Sequence, residues 1–185
     1  MRILKEFVQN PEICLREVMK GKKLSYACFG YALGIISLYF SIKLGRQNIA
    51  SLSGFFFAFI FWFTANVILN FVLAALCNIL LEMTENKASA LDIFILLGFS
   101  QIIWIFLIPC FLIFRALPQI YPLMPLIVLA IIAGQIFFVL TFIKKIFGIP
   151  RTASLVAFVG SFILPFAAWF LFFCCMIGFI VALAA

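Results

Sequence analysis

Two stretches of this chain leave it little choice of solvent. Residues 52–81 run for thirty positions without a charge, and residues 152–185 for thirty-four. About 20 apolar residues, at roughly 1.5 Å rise each, already cross a hydrocarbon core about 30 Å thick. The expected fold is therefore all-α: a polytopic transmembrane helix bundle of about five spans, residues 24–185, behind a short amphipathic segment, residues 1–23. Composition agrees, since only 10% of residues are charged, against roughly 25% in a soluble domain.

The first span is expected over residues 24–42. It carries Gly30 and Gly34 as a G-x-x-x-G, with Ala27 on nearly the same face, a spacing that lets helix backbones approach closely in lipid. A packing role inside the bundle is favoured over a homodimer seam. The second span lies within residues 52–81, too long for an untilted crossing. A hairpin there would need a reverse turn in lipid with no Pro and no charge. Asn66, Asn70 and Asn78 form an i, i+4 stripe along it, with Ala74 at the missing turn, read as interhelical hydrogen-bonding glue.

Ser89 followed by Asp92 is a capping-box arrangement opening the third span, residues 93–114, with a kink expected at Pro109. Pro118, Pro122 and Pro125 mark the connection to a fourth span over residues 123–143. The fifth starts near Ala153, with a bend expected at Pro165 behind Gly160 and Ser161.

At the N-terminus, Ile3, Leu4, Phe7 and Val8 repeat at helical spacing. Asn10-Pro11 then restarts the chain as a second short helix, Ile13, Cys14, Val18 and Met19 on its apolar side and Gly21 at its end. Two in-plane interfacial helices are expected, against a solvated tail for residues 1–9.

The net charge of +7 sits at span ends and in this segment, where lipid headgroups and orientation account for it better than nucleic acid does. Counted over five spans, ten Lys and Arg fall on the N-terminal side and three on the other. The positive-inside bias predicts a cytoplasmic N-terminus and an external C-terminus. In a prokaryote the membrane would be the plasma or inner membrane.

Chemical equipment is sparse. The chain has no histidine, and its six cysteines form no metal or redox spacing. Every Asp, Glu, Lys and Arg lies at a span end or outside, and there is no phosphate-binding glycine loop. No catalytic, cofactor or metal residue is expected, and the chain reads as a non-enzyme. At membrane depth the polar groups are Asn66, Asn70, Ser100, Gln101, Gln135 and Ser161. They suit helix packing or interaction better than a permeation path.

Three blocks carry a resemblance: residues 7–18 (FVQNPEICLREV), 88–100 (ASALDIFILLGFS) and 137–153 (FFVLTFIKKIFGIPRTA). Their order resembles the Yip family of five-span membrane proteins, named as interactors of Ypt GTPases, and in particular its short prokaryotic members. Gly98-Phe99-Ser100 stands where the family has a Gly-aromatic-Ser turn. The acidic N-terminus and Asp-Leu-x-Gly-Pro motif of the trafficking members are missing. The resemblance implies a non-enzymatic protein that interacts with other membrane proteins, or with itself, or that shapes membrane. The alternative is a transport protein, either a small permeation bundle or the membrane subunit of a larger transporter, suggested by Pro109, Pro165 and the neutral polar groups.

Overall fold

The computed structural model describes residues 9–46, 52–84 and 88–184, with side chains for residues 9–41, 55–84 and 88–167. Among these residues the regular structure is helical, with no strand. A short helix α1 (Pro11–Lys20) is followed by α2 (Leu24–Arg46) and α3 (Leu52–Glu82). Next come α4 (Ala90–Ser100), a 3-10 segment (Gln101–Phe106) and α5 (Leu107–Ala116), which together form one rod. A second 3-10 segment (Pro118–Leu123) leads into α6 (Met124–Phe147), and α7 (Arg151–Ala184) ends the bundle.

Four of these units are long and apolar enough to cross a membrane: Leu24–Ser41, Phe55–Glu82, Ala90–Ala116 and Pro118–Phe147. The chain is an all-α membrane bundle by that measure. Helix α7 adds a fifth rod of 34 residues. Residues 52–81 form no hairpin: α3 is a single helix of 31 residues, about 46 Å at 1.5 Å per residue.

The main core gathers the start of α2, the end of α3, all of α4, the end of α6 and the start of α7. Consecutive rods therefore run in opposite directions. Helix α4 is the axle. Every residue from Ile93 to Ser100 is buried, because α1, α2, α3 and α6 all pack on it. Such a helix has to be apolar all round, and it is.

Helix α1 docks beneath this core. Cys14, Leu15, Val18 and Met19 are buried, whereas Ile13 is 60% exposed. Three of the four residues expected on the apolar side are thus buried, and Leu15 takes the place of Ile13, because the docking groove on α4 and α6 selects it. Residues 3–8, the first of the two expected interfacial helices, lie outside the described residues. The helix ends in a Schellman arrangement, with Lys23 N–H donating to the Val18 carbonyl (3.1 Å) and Lys22 N–H to that of Met19 (2.9 Å). The left-handed residue is Lys22 (φ 47°), not Gly21, so the expected glycine stop falls one position early.

The two expected N-caps are in place but work through backbone. Asn10 and Ser89 make no side-chain cap bond, and their carbonyls accept from Cys14 (3.2 Å) and Ile93 (3.0 Å) instead. The capping box at Ser89 and Asp92 is therefore not formed. At the end of α6, Gly148 takes φ 72° and donates to the Lys144 carbonyl, a left-handed cap that glycine adopts without strain.

Candidate functional site

Where α2 crosses α4 the two backbones come close enough to leave no room for a Cβ. A Cβ on Gly30 would lie 2.1 Å from the Gly98 carbonyl oxygen, and one on Gly98 would lie 2.8 Å from the Ala27 Cα. The Ala27, Gly30, Gly34 stripe is thus used inside one chain, as a seat for α4. Buried Tyr31 fixes the crossing, donating to the Phe94 carbonyl at 2.9 Å with the two rings 5.1 Å apart. Gly98 to Ser100 is the end of a helix rather than a turn. The glycine is there to admit a neighbouring backbone.

Beyond the crossing α2 stays packed along the third rod, and a cavity of about 490 Å³ lies between these two, α3 and α6. Its lining comes from α2, α3, the 3-10 segment and α6, and it is mostly apolar. Four of the polar residues singled out in the sequence meet at or beside it. Asn66, Gln101 and Gln135 line it, and Ser100 stands behind Gln135. By residue count at 1.5 Å rise, Gly34, Gln101 and Gln135 lie about 15–18 Å from the α1 end of their rods, which is membrane mid-depth.

At the cavity the interhelical hydrogen bonds belong to Gln135. Its Oε1 accepts from Trp104 Nε1 at 2.9 Å, and its Nε2 donates to Ser100 Oγ at 3.1 Å, tying α6 to the third rod. Gln101 packs on Gly34, whose hydrogen in place of a Cβ leaves room for it: a Cβ would lie 3.0 Å from Gln101 Cβ and 3.1 Å from its Oε1. Among the described residues the Gln101 amide makes no hydrogen bond, and neither does Asn66 Nδ2.

The asparagine stripe is not interhelical glue. Asn70 Nδ2 donates to the backbone and side-chain oxygens of Asn66, and Asn78 Nδ2 to Glu82 Oε1 at 2.7 Å, all within α3. Among the described residues Asn78 Oδ1 is buried without a partner. Residues four apart on one helix are each other's nearest polar neighbours, and the stripe satisfies itself before it reaches across. Buried serines behave the same way. Ser37, Ser41, Ser100, Ser154 and Ser161 each return their hydroxyl to a carbonyl three or four residues earlier.

The two prolines differ. Ahead of Pro109 the rod tightens into the 3-10 segment Gln101–Phe106, which includes Ile105, the residue whose carbonyl the missing proline N–H would have served in an α-helix. The departure from α-geometry thus precedes Pro109 by a turn, and it faces the cavity through Gln101 and Trp104. Helix α7 continues through Pro165 from Arg151 to Ala184, so no break occurs there. Gly160 is at a contact instead, a Cβ there falling 2.9 Å from Leu80 Cδ1.

Sequence reasoning missed Trp104, Trp62, Tyr39 and Gly98. The first three line the cavity, and the last completes the crossing. A Trp at mid-depth, away from the interfacial belts where its N–H is usually wetted, was the available signal that an internal acceptor existed.

Comparisons with protein-family models, with curated proteins and with solved structures give no match. The class of protein is carried by the fold itself: an all-α bundle with four helices long and apolar enough to cross a membrane.

Proposed function

We propose that this chain is a non-enzymatic integral membrane protein of Yip type, working through contacts with other membrane proteins or through organisation of the bilayer. The observation that carries the reading is the outer face of α3. Of residues 55–82 only Asn70, Leu73, Ala74, Cys77 and Leu81 are buried, and Phe57, Phe61, Trp62, Ile68 and Phe71 are all more than half exposed. A helix about 46 Å long therefore offers most of its surface outward, at the depth where membrane partners meet. Stacked rings at Phe55, Phe59 and Phe63 (6.1 and 5.8 Å) stiffen the side that is retained.

Orientation follows from charge, with α1 and the Lys144–Lys145 end cytoplasmic and the C-terminus outside. A reporter active only in the cytoplasm, fused after Ala185, is expected to be silent. For the contact reading, a photoreactive amino acid placed at Phe57 or Phe61 in cells is expected to give a discrete protein adduct. Adducts to lipid alone would remove α3 as a contact surface.

A second reading, a transport protein, is favoured by the cavity at mid-depth beside a 3-10 segment. It predicts flux of a small neutral solute into proteoliposomes that Gln101→Leu reduces. Flux equal to that of empty vesicles would sink it.

A further inference from the structure

We propose that the cavity between α2, α3 and α6 is a binding site for a neutral, flat, carbonyl-bearing lipophile of the alkylated-quinone type, entering sideways from the membrane. This goes beyond the contact reading and does not depend on it.

The flank towards lipid is open. Trp62 and Leu69 line the cavity and are 60% and 55% exposed. In a bilayer that opening meets hydrocarbon, so whatever enters is dissolved in the membrane. Its volume, about 490 Å³, lies within the range of roughly 300–1,000 Å³ usual for small-molecule sites. None of the lining residues carries a formal charge. An ionised carboxylate or a phosphate headgroup would have no counter-charge there and stays in the interface.

The neutral lining disfavours anions, and the amides narrow the choice further. Gln101 and Asn66 both keep amide N–H groups without a partner among the described residues. An acyl chain in the cavity would leave them unbonded in hydrocarbon, which is unfavourable. A carbonyl oxygen accepts from them. A ring carrying such oxygens finds aromatic neighbours in Trp62, Trp104 and Phe59. Its alkyl tail leaves by the lipid flank. Gly34 keeps Gln101 within the wall, because a side chain at 34 would fall on it.

The test uses the full chain in phospholipid nanodiscs, with a decyl-substituted benzoquinone as probe and tryptophan emission as readout. Two of the three tryptophans, Trp62 and Trp104, line the site, so bound quinone quenches them by contact. Saturable quenching is expected, as against the linear rise of collisional quenching by probe dissolved in lipid. Gln101→Leu is expected to weaken it about tenfold, the worth of roughly one hydrogen bond, whereas Phe57→Leu, on the lipid face, leaves it unchanged. Decylbenzene, which has the tail but no carbonyl, is expected to compete at least about tenfold less well. Linear quenching, or decylbenzene competing as well as the unbound quinone does, would overturn the proposal. The first outcome means partition only, and the second an ordinary hydrocarbon site.

Discussion

Two regions of this bundle, the core that rests on α1 and the surroundings of the cavity, are built on different principles. At the α1 end, five elements and the α1 helix share one large core in which Leu15, Ile93, Ile95, Leu96 and Ile143 are fully enclosed. Among the described residues a second, smaller cluster holds Leu107, Phe111 and Ile131, with partly exposed neighbours around it. Between them stands the glycine crossing of α2 and α4, and past it the cavity. In lipid, apolar area gains nothing by leaving its solvent, so helices associate through close packing and hydrogen bonds. Where glycines allow contact, the bundle closes. Where Trp, Gln and bulky aromatics stand instead, it stays open and holds its few polar groups.

The comparison breaks most visibly at the crossing. Gly30→Ala puts a methyl where only 2.1 Å is available to a carbonyl oxygen, so α2 and α4 have to separate along much of their length. Overpacking of this kind costs about 3 kcal/mol. On the outer side of α6, Gly134 has nothing within 4 Å of its would-be Cβ, and Gly134→Ala is expected to be neutral or to gain up to ~1 kcal/mol from helix propensity. Reversible unfolding in mixed micelles measures both. Equal stability of the two variants would mean that the crossing is looser than described.

Polar groups offer the next contrast. Gln135→Leu breaks both bonds that join α6 to the third rod and leaves Trp104 Nε1 without its acceptor. A loss of about 1 kcal/mol is expected, in line with other interhelical bonds in membranes. Asn70→Leu removes bonds that never leave α3, so its effect on bundle stability is expected to be smaller. The reverse order in the same unfolding assay would restore the asparagine stripe as the glue.

How much of this was legible follows from the same physics. Long uncharged runs dictate helices whatever they pack against, so the rods from Leu24 and Leu52 start where the sequence places them. Gly30 and Gly34 announce a close contact because small side chains at that spacing have few other uses. Their partner Gly98 was hidden, since a glycine at a close crossing and one in a turn look alike in sequence. The cavity was illegible for a related reason. Asn66, Gln101 and Gln135 stand on three different rods, and the rotation of each rod about its axis is set by packing. Periodicity within one helix places a residue on a face without saying what that face meets.

A smaller effect probes the turn out of α1. Lys22 holds φ 47°, a conformation that costs a side-chain-bearing residue about 1 kcal/mol relative to glycine. Lys22→Gly is expected to raise the protection of the α1 amides against hydrogen exchange, and Gly21→Ala to have no such benefit. A fall in protection with Lys22→Gly would mean that the lysine side chain supplies more than the left-handed strain removes.

The smallest expected effect concerns how α1 is held. Arg16 Nη2 donates to the Lys145 carbonyl in the last turn of α6, and Glu12 lies 3.2 Å from Arg16 and 3.8 Å from Lys145. All three side chains are about half exposed, so each ion pair contributes at most about 0.5 kcal/mol and is screened by salt. The apolar side of α1, with Leu15 fully enclosed, carries no such dependence. Glu12→Gln is therefore expected to lower α1 amide protection slightly at low salt and not at all at high salt. Arg16→Ala keeps part of its effect at high salt, because its bond to the carbonyl is lost as well. Complete loss of α1 protection in Glu12→Gln would make the docking electrostatic, and α1 would then owe nothing to the core it rests on.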